Sequence, residues 1–136
     1  MSTFNFTPKG LYIGGKWSPS SSGKTLASHN PATGELLGEV PLASEEDVNR
    51  AVATAKQAFA QWRNVPSVER AQCLEQLAAR ILEHTEELAL MDAFDSGNAV
   101  AGMRADMKIS ADSLRYFAAM LREVKGETLI LSLIHI

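Results

Sequence analysis

Residues 46–62 read EDVNRAVATAKQAFAQW, and this run decides the fold. Val48, Ala51, Val52, Ala55, Phe59 and Trp62 recur at the i, i+3, i+4, i+7 spacing that gathers apolar side chains on one face of an α-helix. Just upstream, Ser44 stands three residues before Asp47, the spacing of a capping box, in which hydroxyl and carboxylate each satisfy a free N–H of the first turn. The sequence therefore predicts an amphipathic helix starting after Ser44, about 27 Å long at about 1.5 Å per residue, with its apolar face buried.

Downstream the helical pattern continues. Pro66 and Ser67 punctuate it, and a second helix follows whose inward row is read as Cys73 or Leu74, Leu77, Ile81 and Leu82, with Ser67 as a candidate cap. A break near His84 and Thr85 leads to a third segment over residues 86–94, closed by Asp95-Ser96-Gly97-Asn98, where Gly97 suits the left-handed position that ends a helix. A fourth helix, residues 100–124, carries Met103, Met107, Leu114, Phe117, Ala118 and Leu121 on one stripe and stops at Gly126.

Upstream the pattern changes to β. LYIGGKW, residues 11–17, sets bulky β-formers around a Gly-Gly pair, and the small polar residues 18–23 form a turn, which predicts a short strand pair over residues 10–28. Asn30-Pro31 and Thr33-Gly34 turn the chain again before a second arm, residues 35–41. The reading is a β-hairpin followed by four helical segments. Two strands alone make a marginal sheet, so helices with single apolar faces are expected to persist while the hairpin is poorly fixed.

Composition bounds the function. The chain has 136 residues, 46% hydrophobic and 21% charged, as in ordinary globular segments. A net charge of −3 with scattered Lys and Arg argues against nucleic-acid binding. Neither a membrane-spanning run nor a secretory leader is visible, so a cytoplasmic location is the expectation. The one cysteine, Cys73, excludes an internal disulfide.

The order of these pieces resembles the amino-terminal region of the aldehyde dehydrogenase superfamily over nearly all of residues 7–129. IGGKW (residues 13–17) looks like that family's opening strand and NPATGE (residues 30–35) like the turn after it. The runs over residues 46–62 and 69–89 are similar to its first two helices, and DSG (residues 95–97) with LRYFA (residues 114–118) fits the close of the region. Asn98-Ala99 stands where the family usually has Lys-Pro, and Gly102 where an acidic residue is common, differences that bear on the subfamily. The resemblance implies an α/β parent enzyme with a Rossmann-like cofactor domain, a catalytic domain with a nucleophilic cysteine, and a β extension for oligomer contacts. It implies NAD or NADP bound by the missing part of that enzyme, a small-molecule aldehyde as substrate, and a homo-oligomer.

No catalytic or cofactor-binding residue is assigned to this chain. Cys73 lies among Ala71, Leu74 and Leu77 with no nearby histidine to act as base, and reads as a small buried hydrophobe. Gly14-Gly15 lacks the GxGxxG pattern of a phosphate loop and reads as a turn. His29, His84 and His135 have no metal-ligand spacing. The resemblance implies one site, a monovalent cation held by backbone carbonyls of Ser28 and His29 and the carboxylate of Asp95. The competing reading makes Asp95 only an acceptor of N–H bonds at its turn.

The expected organisation is a flexible tail over residues 1–9, the amino-terminal part of a cofactor-binding domain over residues 10–129, and a non-native tail over residues 130–136. Leu131 to Ile136 (LSLIHI) spell one frame of the mosaic-end adaptor used in transposase-based DNA library preparation, although an apolar edge strand would read alike. The function expected is that of a fragment of an NAD(P)-dependent aldehyde dehydrogenase oxidising an aldehyde to a carboxylic acid. A semialdehyde or CoA-acylating member of the same superfamily, or a small helical interaction module without catalysis, are the alternatives.

Overall fold

The computed structural model describes residues 9–126, so both expected tails, apart from Lys9, lie outside the described residues. Four strands precede four helices: β1 (Leu11–Ile13), β2 (Lys16–Ser18), β3 (Thr25–His29), β4 (Leu36–Pro41), α1 (Glu45–Trp62), α2 (Ser67–Glu83), α3 (Thr85–Ser96) and α4 (Val100–Met120).

The β region resolves into two separate antiparallel hairpins, β1–β2 and β3–β4, each a two-stranded sheet. In the first, Ile13 pairs with Lys16, leaving Gly14 and Gly15 as a two-residue turn with φ of 62° and 80°. Such a turn needs left-handed backbone at both positions, which explains the glycine pair. The ladder of the second slips at Ser28 and His29, where Ser28 faces Gly38 but His29 faces Leu36.

The capping box of α1 forms as the spacing requires, with the Ser44 side chain accepting from the Asp47 N–H and the Asp47 side chain from the Ser44 N–H. The burial expected of α1 does not follow. Val48, Val52, Phe59 and Trp62 are 52, 62, 57 and 46% exposed, and the helix's main neighbour is β1 rather than another helix. A stripe at helical spacing fixes which residues share a face but says nothing about whether this chain contains the surface that covers it.

Helices α2, α3 and α4 form the packed part, with α2 along α4 and α3 against α4. The buried apolar groups are five alanines, Ala71, Ala78, Ala89, Ala111 and Ala118, together with Met103. Seven-residue spacing puts Ala71 with Ala78, and Ala111 with Ala118, on common faces, and a bare Cβ lets helix axes approach closely. The inward row of α2 is therefore Ala71, Leu74, Ala78, Ile81, while Cys73 and Leu77 face solvent. On α4 the stripe runs Met103, Met107, Ala111, Leu114, Ala118 and Leu121, and Phe117 is 58% exposed.

Helix ends differ in detail from the sequence reading. Pro66 occupies the cap position of α2 and Ser67 its first turn, with no side-chain cap bond. His84, at φ −102° and ψ 18°, ends α2 and begins α3. Gly97 closes α3 at φ 77°, as its sequence position predicts. Helix α4 stops at Met120, short of the expected Val124. Among the described residues no helix is long and apolar enough to cross a membrane.

Candidate functional site

Asp95 lies in the last turn of α3, and Ser28 near the end of β3. The fold brings them together across 67 residues: the Ser28 hydroxyl donates to Asp95 Oδ1 at 2.6 Å. The turn that follows β3 is built to hold this approach. Asn30, nearly buried, accepts from the Ala32 N–H through Oδ1 at 2.9 Å, while its own N–H and carbonyl bond Glu35 O and the Gly34 N–H. Pro31 then lies so close to Gly97 that a Cβ at Gly97 would come within 2.8 Å of Pro31 Cγ. The two turns singled out in the sequence, NPATGE and DSG, are thus one contact in space.

The three residues expected to hold a cation are not placed alike. Ser28 is half-buried and Asp95 exposed, and they are bonded to each other. His29 is exposed, and among the described residues its ring has no hydrogen-bond partner. The slipped ladder falls at the same two positions whose carbonyls were expected as ligands. At the Asp95 turn itself, the Asn98 N–H is taken by Ser96 Oγ at 3.2 Å. Among the described residues no group of three or more His, Cys, Asp or Glu side chains is gathered as a metal site, so any cation here would rest on backbone and hydroxyl oxygens with a single carboxylate, a hard-cation donor set.

Beside this contact runs a cleft of about 630 Å³ between the β3–β4 hairpin and helices α3 and α4. Leu26, Leu37, Val40, Leu88, Met91 and Met107 form most of its wall, with Ser28, Asp92 and Asp95 as its polar edge. It is apolar and open on one side.

Sequence reasoning missed a polar cluster. Asp47, expected only as a capping residue, is fully buried. Its Oδ2 accepts the N–H groups of Ser44 and Ser21, both at 3.0 Å, with the hydroxyls of Ser20, Ser21 and Ser44 at 3.1, 3.2 and 3.0 Å. Arg50 Nη2 bonds Oδ1 at 2.9 Å. The Ser44 N–H is the largest cause holding this carboxyl far below the usual carboxylate range; burial opposes it, and the Ser21 N–H and the Ser44 and Ser20 hydroxyls add to it. The serine-rich turn after β2 is therefore a ligand loop for a buried carboxylate. A capping-box acid near a serine run was the only signal, and it does not specify so distant a pairing.

Cys73 is exposed on α2, in a shallow depression with Gln76, Leu77, Arg80 and Glu83, which corrects its reading as a buried hydrophobe. Its environment still offers no histidine.

One hairpin against α1, a second against α3 and α4, and three packed helices, in this order, match the aldehyde dehydrogenase architecture. The NAD-dependent aldehyde dehydrogenase from Sinorhizobium meliloti superposes with a TM-score of 0.85 at 32% identity, over 89% of this chain and 25% of that one. PnpE, solved in complex with nicotinamide adenine dinucleotide, gives 0.87 at 32% identity, over 92% and 26%. The chain belongs to the aldehyde dehydrogenase family, whose model matches residues 17–134. It is 39% identical to the 4-(hydroxymethyl)benzenesulfonate dehydrogenase TsaD1 of Comamonas testosteroni over 129 residues, 95% of this chain. The chain spans about a quarter of the length of the curated relatives it matches, 27% in that case.

Proposed function

We propose that this chain is the amino-terminal part of the cofactor-binding domain of an enzyme that oxidises an aldehyde to a carboxylic acid with NAD or NADP. The observation that carries the reading is the superposition of 92% of the chain on PnpE, a structure solved with nicotinamide adenine dinucleotide, at a TM-score of 0.87. The residues present do not themselves fit a dinucleotide: α1, whose N-terminus would attract phosphate, opens with Glu45, Glu46 and Asp47, and α3 carries Glu86 and Glu87 in its first turn. The cofactor, the nucleophile and the general base accordingly belong to the polypeptide beyond this region. This chain contributes framework. A small-molecule aldehyde, a cytoplasmic setting and a homo-oligomeric parent complete the proposal, and the malonate-semialdehyde dehydrogenases of Geobacillus, 36–37% identical, favour a semialdehyde as the second substrate reading.

Recovery of the adjoining gene and purification of the longer protein provide the test. Aldehyde-dependent reduction of NAD or NADP is expected from the longer protein, across a panel that includes semialdehydes, and none from this chain alone. Turnover by the isolated chain, or none by the longer protein, would remove the reading.

Within the longer protein, Ser28, His29 and Asp95 are proposed to hold a monovalent cation, through the carbonyls of the first two and the carboxylate of the third. The Ser28–Asp95 bond and the slipped ladder at Ser28 and His29 support this. Exchange of sodium or potassium for a bulky organic cation should lower the thermal midpoint of the longer protein, and Asp95→Ala should remove that dependence.

A further inference from the structure

We draw no further inference here: the strongest candidate, the outer face of α4 where Ile109, Tyr116 and Phe117 stand exposed around a shallow depression, carries nothing, because nothing among the described residues shows what covers it.

Discussion

The two halves of the described chain are held together by opposite means. From Leu11 to Trp62, two short hairpins and one helix bury almost no apolar side chain and are tied by the carboxylate of Asp47. From Ser67 to Met120, three helices close on alanines, and their ion pairs, such as Arg104 with Glu86 at 2.6 Å, lie on exposed side chains. The first half depends on direction, because hydrogen bonds weaken steeply when misaligned. The second depends on volume, because packed interiors resist even one added methylene. Each half should therefore fail to a different kind of substitution.

The largest effect is expected from Asp47→Ala, which leaves the donors of Ser20, Ser21, Ser44 and Arg50 without their shared acceptor. Amide exchange should accelerate at residues 20–22 and 44–50 and stay slow across α2 and α4; equal acceleration in both halves would erase the distinction. Next is Ala78→Leu. Ala78 is 0% exposed, and overpacking there should cost about 1–3 kcal/mol, read as a lower urea midpoint with the Asp47 region's exchange unchanged.

Gly97→Ala follows, because φ of 77° and the contact with Pro31 both exclude a Cβ. It should cost about 1–2 kcal/mol, and loss of the Ser28–Asp95 bond should accompany it. The smallest effect belongs to Cys73→Ala, which on an exposed position should stay within about 0.5 kcal/mol.

Acid separates the halves again. A carboxyl held below its ordinary value stabilises fully above the unfolded pKa, about 3.9 for Asp, and loses that contribution as pH falls toward the folded value. Residues 10–62 should accordingly lose exchange protection progressively below about pH 4, and Asp47→Asn should flatten that dependence. Glu83 and Glu86 are lowered in the same direction by Arg80 and Arg104, but on exposed side chains, so the helical half should respond less.

The sequence was most legible where local chemistry decides. The Ser44 capping box, the Gly14-Gly15 turn and the Gly97 helix end are each set by a few adjacent residues, and each stands where its spelling predicts. It was least legible where alanine decides, since Ala71 and Ala78 carry too little hydrophobicity to outrank Cys73 and Leu77, although only the small residues permit close helix contact. Of the candidate site, the approach of Ser28 to Asp95 could not be read from local pattern, because a contact across 67 residues has no local signature. The exposed stripe of α1 has a different cause: its spacing was correct, but the covering surface is not among the described residues.

The Asp47 cluster also bears on the order in which the chain folds. Ser21 and Asp47 are 26 residues apart, and the β3–β4 hairpin lies between them. Closing that loop costs chain entropy before its bonds can compensate, whereas the Ser44–Asp47 box spans three residues and forms with the helix itself. The bonds from Ser20 and Ser21 to Asp47 are therefore expected to form late, after the helix and its box. In stopped-flow experiments Ser20→Ala, which removes a long-range donor and leaves the Ser44–Asp47 box in place, should accelerate unfolding of residues 10–62 and leave their refolding rate nearly unchanged, the signature of contacts made after the barrier has been crossed.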